Sequence, residues 1–405
     1  MLVFRTDDAR PPGQIDLLVM ALIYRTAGES HGPALFAIME GLPAGLELVP
    51  DDIDNDLARR QLGYGRGGRM KIERDRVHVK SGLRHGRTIG SPLMLEIPNL
   101  DFPNWSEDRM AVWEPASDVD PITLPRPGHA DLAGMQKYDG QDLRPILERA
   151  SARETAARVA AGGVAKALLR RYGIEIRSHV VRVGAEHVPY GQTLLLEDFD
   201  GVDESPVRCL DAEASVRMRE AIKTAGQSHD TLGGVFEVVA FGVMPGLGSH
   251  VSGDARMDGR IGQAFLGIQA IKAVEIGAGF ELGQIPGSQA HDEIFWDAEQ
   301  GYHRHTNRSG GIEGGMTHGA PVVVRAAMKP ISTLSRPLAS VDVATKEARA
   351  AFKERSDICA VPAAAVIGEA MLALVLAQAL LEKFGGDAVS QLDESVARYL
   401  ATIRG

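Results

Sequence analysis

The chain has 405 residues, of which 44% are hydrophobic and 24% charged, as in an ordinary soluble globular protein. Its formal net charge of −10 argues against a general affinity for nucleic acid or for an anionic membrane. Its two cysteines, Cys209 and Cys359, are too few for a disulfide framework or an all-cysteine zinc site, so we expect a reducing, cytoplasmic environment.

The first feature along the chain is an apolar run at 15–24. It is too short to span a bilayer, and no small-residue cleavage site of a signal peptide is obvious. Met20 stands just before a strand-like segment. We therefore expect residues 1–19 to be a disordered extension and residues 20–405 to form one domain.

Runs rich in Val, Ile and Leu predict strands, and longer runs with helical start and stop signals predict helices. The predicted strands cover 21–26, 77–81, 93–97, 234–243 and 321–327. The predicted helices cover 50–61, 151–172, 211–225, 258–273 and 363–384. The elements lack the steady βαβ alternation of a doubly wound sheet, so the prediction is an α+β fold in a single compact domain.

Two of these helices carry further signals. Ser151 and Glu154 match the S-x-x-E pattern of a capping box, and Gly173 follows the last turn of the same helix. The apolar run at 363–384 contains Glu369, which favours a buried core helix over a membrane span.

Two histidines stand in glycine-containing turns. His31 lies in GESHGP, directly after a predicted strand, and His129 lies in RPGHAD. Histidine titrates nearest to neutral pH, and neighbouring glycines leave its ring accessible to a ligand. Taken alone, the His31 motif is weak, because a turn histidine without a chemical role is the more common case.

Two pairs could be considered as metal ligands. They are His129 with Asp131, and His303 with His305. No third ligand stands at a useful spacing from the first pair, and the second pair lies in a polar segment where solvated side chains are expected. No metal is predicted.

An arginine-rich segment at 59–76 is the main basic feature of this acidic chain. Arg66 and Arg69 lie within the glycine-rich sequence GYGRGGRMK. The planar guanidinium binds phosphate and carboxylate through two parallel hydrogen bonds. The glycines favour a ligand-binding loop over a solvated basic face.

The predicted helix that begins at Ser151 is a second candidate anion site. A helix N-terminus offers unpaired N–H groups and partial positive charge, and Arg149 and Arg153 flank this one. Capping alone is the alternative. Together with segments 329–333 (KPIST) and 355–357 (RSD), these features predict a site for a polyanion.

Six segments of the chain, in order, resemble the signature of the chorismate synthase family. They are GESHGPAL, RPGHADL, ERASARETAARVAAGG, GGIEGGMTHG, MKPIST and ERSD. The resemblance extends from about residue 21 to the last apolar helix. It implies a β-α-β sandwich core, a homotetramer and reduced FMN as cofactor. The implied reaction is the last step of the shikimate pathway, in which 5-enolpyruvylshikimate-3-phosphate (EPSP) loses phosphate by anti-1,4-elimination to give chorismate without net redox change.

The resemblance also implies catalytic roles. His31 would protonate the departing phosphate, and His129 would protonate the reduced flavin. Asp357 matches an aspartate of the family that works with proton transfer at flavin N5.

The resemblance further implies two sets of binding residues. Those for FMN are Arg149, Ala150, Ser151, Gln269, Ala270, Gly314, Lys329, Pro330, Ile331, Ser332, Thr333 and Arg355. Those for the substrate are Arg60, Arg66, Arg69, Arg126 and Arg153. Arg60 and Arg66 are also associated with NADPH in the family, which leaves NADPH open as a reductant of the flavin. Gln269 replaces the common asparagine, and Ser356 replaces a histidine of some relatives.

Two functions of other classes were weighed. A flavin or phosphometabolite sensor would have lost the acid–base groups, yet His31, His129 and Asp357 are all present. A nucleic-acid module would need a basic surface with stacking aromatics, and only 5% of the residues are aromatic. Since no added reductase domain is evident, we expect a monofunctional enzyme that depends on an external flavin reductase.

Overall fold

A computed structural model describes residues 22–67, 72–105, 110, 113, 120–189, 191, 193–299, 301–352 and 357–404. The strands are β1 (Ile23–Ala27), β2 (Ala34–Glu40), β3 (His78–Ser81), β4 (Leu83–Arg84), β5 (Arg87–Thr88), β6 (Leu93–Pro98), β7 (Glu175–Val183), β8 (Glu186–His187), β9 (Gly234–Phe241), β10 (Ile271–Ile276), β11 (Phe295–Asp297), β12 (Gly301–His303), β13 (Ile312–Glu313), β14 (Met316–Thr317), β15 (Val322–Met328), β16 (Ala339–Val341) and β17 (Ala348–Ala350). The α-helices are α1 (Asp51–Gln61), α2 (Asp131–Tyr138), α3 (Arg144–Ala150), α4 (Thr155–Arg170), α5 (Ala212–Gln227), α6 (Met257–Leu266), α7 (Gly287–Ala290), α8 (Val361–Phe384) and α9 (Val389–Arg404).

The first sheet has the order β1-β2-β6-β3, and its paired strands are antiparallel. Leu35, Ala37 and Met39 alternate along β2 and are fully buried, because successive side chains of a strand point to opposite faces. Their face of the sheet packs against α4.

The second sheet has the order β10-β15-β9-β7-β8 and is also antiparallel. Phe236 and Val238 of β9 face α8, where a Cβ added to Gly368 would lie 2.6 Å from the Phe236 ring. Helix α4 packs on the first sheet and α8 on the second, the two helices pack on each other between the sheets, and α1 packs on both helices. The predicted α+β class and the implied β-α-β sandwich are both confirmed.

Helix α8 forms the centre of this middle layer. It is long and apolar enough to cross a membrane, with a mean hydropathy of 2.1 over its most apolar window, but 94% of that window is buried inside the fold. The burial agrees with the core helix predicted at 363–384.

The helix predicted at 258–273 is wrong in its second half. Helix α6 ends at Leu266, and Ile271 begins strand β10. Ala270 adopts a left-handed conformation with φ of 66°, which turns the chain between the two elements. The apolar residues after the turn pair with β15, and this pairing across the sheet is absent from the local sequence pattern.

The capping box at Ser151 is also wrong in part. The Ser151 hydroxyl accepts from the Arg153 N–H and caps a 3₁₀ turn at Ala152–Glu154, after which α4 begins. The Glu154 carboxylate instead accepts from the Thr26 hydroxyl at 2.6 Å and from Arg158. These contacts replace the hydrogen bond from the Ser151 N–H to Glu154 that a capping box would have.

Candidate active site

A cavity of about 640 Å³ opens beside the start of α4 and the start of α8. Its size falls within the range of small-molecule sites. The predicted site residues that line it are His31, Arg60, Arg66, Arg126, His129, Ala150, Ser151, Arg153, Gln269, Ala270, Lys329, Pro330, Ile331, Ser332, Thr333 and Asp357. Residues far apart in the sequence therefore meet in one place.

Two predicted residues of the described chain do not line the cavity. Arg149 directs its guanidinium to the carbonyl oxygens of Thr26 at 3.0 Å and Gly28 at 3.1 Å. Gly314 lies in the turn between β13 and β14. The predicted Arg69 and Arg355 lie outside the described residues, as does the extension predicted at 1–19.

His31 is held by a buried carboxylate. Its Nδ1 lies 2.9 Å from Glu148 Oε1, and its backbone N–H donates to Glu148 Oε2 at 2.8 Å. The Trp105 ring covers the imidazole with 3.6 Å between ring centroids. Gly28 lets the loop reach this position, since its φ is 101° and an added Cβ would lie 2.4 Å from the Ala34 carbonyl oxygen.

Glu148 is an anion in this arrangement. Burial alone would raise the pKa of Glu148, but hydrogen bonds from His31 and Arg144 lower it below its ordinary value. A carboxylate accepts hydrogen bonds only, so the neutral His31 ring keeps its proton on Nδ1. Nε2 is then the nitrogen that exchanges a proton with a ligand.

His129 has a similar partner. Its Nδ1 forms a hydrogen bond with Asp131 Oδ1, while Arg126 donates to Asp131 Oδ2 from Nε at 2.8 Å. Burial would raise the pKa of Asp131, but the hydrogen bonds from His129 and Arg126 lower it far below its ordinary value. Asp131 is thus a hydrogen-bond acceptor for His129 rather than its partner in a metal site.

The loop that carries His129 is tied to the segment after β15. Arg126 Nη1 donates to the Thr333 hydroxyl at 3.0 Å, and the Lys329 ammonium donates to the Gly128 carbonyl. The two predicted segments RPGHAD and KPIST therefore form one wall of the cavity.

Arg60 and Arg153 form a buried pair around Asp75. Arg153 Nη1 lies 2.6 Å from Asp75 Oδ1, and its Nε donates to Asn99 Oδ1 at 2.8 Å. Arg60 donates to the Thr155 hydroxyl at 3.0 Å and lies 3.4 Å from Asp75 Oδ2. Burial lowers the pKa of Arg60 to about 10 against the opposing charge of Asp75, which still leaves a cation at neutral pH.

Asp357 joins the glycine-rich loop to the start of α8. Its Oδ1 accepts from the Gly67 N–H at 2.6 Å, and its Oδ2 pairs with Arg66 Nη1 at 2.8 Å. Of the basic segment 59–76, the cavity lining includes Arg60 and Arg66, whereas Arg59 points to Glu369 in the core and Arg76 is exposed.

Gln269 lines the cavity and carries a buried acceptor. Its Nε2 donates to Glu154 Oε2 at 3.0 Å, so Oε1 faces away from that carboxylate. Within the described part of the chain, Gln269 Oε1 is buried and has no hydrogen-bond partner. A buried acceptor without a donor is costly, and a ligand N–H would satisfy it.

The histidines His303 and His305 lie elsewhere, around Phe295, with 5.3 Å between their ring centroids. Among the described residues, no group of three or more His, Cys, Asp and Glu side chains could hold a metal ion.

The sequence reasoning missed Glu148, Trp105 and Asp75. Glu148 belongs to the ERASARE segment, but nothing local connects it to His31, which is 117 residues away. Asp75 stands in a basic run that hides its pairing with Arg153. The only signal in the sequence was that Asp75 is an acidic residue within a basic segment.

The cavity thus combines two carboxylate-backed histidines with a set of buried cations, which defines a site for acid–base chemistry on an anionic small molecule. A model of the chorismate synthase family matches residues 22–381. The chorismate synthase of Nocardioides sp. is 55% identical over 95% of this chain and 99% of its own length. That of Streptomyces avermitilis is 56% identical over 94% of this chain and 98% of its own.

A crystal structure of a chorismate synthase superposes with a TM-score of 0.76 at 42% identity, covering 95% of this chain and 98% of the solved chain. The chain belongs to the chorismate synthase family. The activity of this family is the last step of the shikimate pathway, which leads to the aromatic amino acids.

Proposed function

We propose that the chain eliminates phosphate and a hydrogen from EPSP in an anti-1,4 sense to give chorismate, with reduced FMN bound and no net redox change. The observation that carries the proposal is the meeting of His31, His129 and Asp357 with four arginines in one cavity. EPSP carries one phosphate and two carboxylates, so it requires several cations in a single pocket.

Arg126 is held by Asp131, and the other four cavity cations divide into two groups. Arg60 and Arg153 are held by Asp75 and supply a fixed positive potential with little freedom to move. Lys329 and Arg66 lie at the cavity wall on segments that join two elements, and they would contact the anionic groups directly. Charges fixed before the substrate binds cost no reorganisation during the reaction.

His31 is proposed as the acid that protonates the departing phosphate. Its Nδ1 is occupied by Glu148, so transfer would occur from Nε2. A positioned acid or base contributes about 10²–10⁴-fold to a rate, and histidine titrates near neutral pH.

His129 and Asp357 are proposed to handle protons on the cofactor side. Asp131 occupies Nδ1 of His129, so Nε2 would hold or release the proton. Asp357 would act through Oδ1 or Oδ2, both of which lie in a fixed position beside Gly67 and Arg66.

The cavity residues fit reduced FMN. Gln269 Oε1 is the buried acceptor that lacks a donor, and a flavin ring offers an N–H. Ala150, Ser151, Ala270 and the segment 329–333 would hold the cofactor. When bound, reduced FMN would supply electron density to the substrate as the phosphate leaves.

The test is anaerobic turnover of EPSP with dithionite-reduced FMN, following chorismate and phosphate, for wild type and His31→Ala. We expect wild-type turnover and a loss of roughly 10²-fold or more in the variant, the size of a lost general acid. A folded, flavin-binding wild type without turnover would contradict the lyase proposal. Full activity of His31→Ala would contradict the role of His31 alone.

Finer properties are proposed from the family resemblance. The enzyme would be monofunctional, with an external flavin reductase, and aerobic turnover supported by NADPH and FMN alone would contradict this. It would be a homotetramer, which sedimentation of the purified chain measures. The described Cys209 and Cys359 are buried and unpaired, in keeping with a reducing cytoplasm.

A further inference from the structure

Glu148 makes more contacts with the His31 loop than a simple ion pair requires. Both of its oxygens lie within hydrogen-bond distance of His31 Nδ1, at 2.9 and 3.1 Å. Oε2 also accepts the His31 backbone N–H at 2.8 Å, and the Glu148 carbonyl accepts the Ser30 N–H at 3.1 Å. One residue of α3 therefore fixes both the backbone and the ring of His31.

Further residues contact Glu148 and His31 in turn. Arg144, one turn earlier on α3, donates to Glu148 Oε1 at 3.1 Å. The Arg144 guanidinium also lies 5.2 Å from the centre of the Trp105 ring, which stacks on the His31 imidazole. The Glu148 carboxylate is 1% exposed, so its charge acts on His31 with little screening by solvent.

Other charged groups face His31 from the surrounding elements. Arg144 lies on the same helix as Glu148, Asp101 accepts from the Trp105 indole at 3.4 Å, and Glu29 lies in the loop of His31 itself. The cavity wall adds the ionisable side chains of Arg60, Arg66, Arg126, Arg153, Lys329, His129 and Asp357.

The wall carries more positive than negative charge, and positive charge opposes protonation of an imidazole. The Glu148 carboxylate is in direct contact with the His31 ring, with 2.9 Å between Oε1 and Nδ1. It therefore offsets the field that the cavity needs for an anionic substrate.

We propose that Glu148 is a positioning residue for His31, holding the ring so that Nε2 faces the substrate and stabilising its doubly protonated form within a cationic cavity. This inference rests on the proposed function, in which His31 protonates the departing phosphate. Trp105 restricts the His31 ring by stacking on it. Arg144 partly neutralises the Glu148 carboxylate and so weakens its interaction with His31.

Two variants separate this role from simple support of the loop. Glu148→Gln keeps the size and one acceptor but removes the charge. Because His31 acts as an acid, the rate falls as pH rises through its titration, and loss of the adjacent anion moves that fall to lower pH. A nearby opposite charge shifts titration by about one to three pH units, so we expect a shift of at least about one unit in kcat against pH.

Arg144→Met is expected to shift the kcat profile in the opposite direction. It removes a cation that competes for Glu148 while keeping an unbranched apolar stem against Trp105. The descending limb of the kcat profile is then expected to move to higher pH. A general disturbance of the loop would act in the same direction in both variants.

The measurement is kcat and KM for EPSP from pH 6 to 9 with chemically reduced FMN. Alongside it, the His31 ring is titrated by NMR of imidazole-labelled protein without substrate. We expect Glu148→Gln to lower kcat more than it raises KM and to titrate His31 at lower pH. An unmoved His31 titration, or the same direction in both variants, would overturn the inference. Absence of wild-type turnover would overturn the proposed function, while the NMR titration would still decide the role of Glu148.

Discussion

At the scale of single residues, the two cavity histidines are backed by carboxylates of different kinds. Glu148 shares its charge between His31 and Arg144, whereas Asp131 shares its charge between His129 and Arg126. Arg126 itself lines the cavity, so Asp131 orients a histidine and a substrate-side cation together.

Asp131→Asn is expected to reduce turnover of EPSP by about 10²-fold, the lower range for a misplaced acid–base group. The amide presents one acceptor where His129 and Arg126 now use two oxygens. The measurement is kcat under anaerobic conditions with reduced FMN, together with a thermal melt. Asp258→Asn is the matched control, because Asp258 is partly exposed and pairs with Arg256 outside the cavity. A kcat for Asp131→Asn within twofold of wild type would contradict this role.

At the scale of elements, the contact between α4 and α8 depends on a glycine. A Cβ added to Gly162 would lie 2.3 Å from the Ala370 Cβ and 2.6 Å from its Cα. The second atom belongs to the backbone, so a rotamer change cannot relieve the clash and the helices would have to separate.

Gly162→Ala should therefore destabilise the protein by about 1–3 kcal/mol, the usual cost of overpacking a core. Gly262→Ala in α6 is the matched control, because nothing lies within 4 Å of an added Cβ there. Alanine in a free helical position stabilises by about 0.5–1 kcal/mol relative to glycine. Urea unfolding measures the free energy of unfolding of both variants. Equal changes in the two variants would show that the close contact between α4 and α8 at Gly162 does not control stability.

At the scale of the whole molecule, a buried ionic cluster joins the middle layer to the second sheet. Glu369 of α8 is fully buried and accepts from Arg59 of α1 at 2.8 Å, Lys166 of α4 at 2.5 Å and the Ser178 hydroxyl of β7 at 2.6 Å. Arg208 completes the cluster and pairs with Asp203. Four separate elements are tied to one carboxylate.

Glu369→Gln should destabilise the fold by about 3 kcal/mol, the lower end of the range for a broken buried ion pair, because Arg59, Lys166 and Arg208 lose the carboxylate that they share but keep Asp56 or Asp203. Glu382→Gln, on the same helix but in a more exposed pair with Arg260, should change stability by no more than about 1 kcal/mol. The free energy of unfolding in urea at neutral pH distinguishes them. If the two variants lost the same stability, the cluster would not be a main source of it.

The pH dependence of this cluster has a definite sign. Burial alone would raise the pKa of Glu369, but the charges of Arg59 and Lys166 hold it well below its ordinary value. A carboxyl group whose pKa is lowered by folding contributes its full stabilisation at a pH above its ordinary pKa of about 4.3. This stabilisation is lost as the pH falls below that value. Wild type should therefore lose more stability than Glu369→Gln as the pH falls from about 5 to about 3.

The sequence alone determined the fold class, the family and most of the cavity lining. Alternation of apolar residues marked β6 and β9, an apolar run marked α8, and six ordered motifs marked the family. These signals are local, since they depend on side-chain type and spacing within one element or loop.

Only the tertiary structure decided the partners of those residues. Glu148 meets His31 across 117 residues, Asp75 meets Arg153 across 78, and Glu369 meets Arg59 across 310. The same cause made the end of the predicted helix at 258–273 a strand, because β15 supplies its hydrogen bonds. Hydrogen bonds and ion pairs between distant segments leave no periodic trace in the sequence, so the pairing of His31 with Glu148 became visible only once the chain was folded.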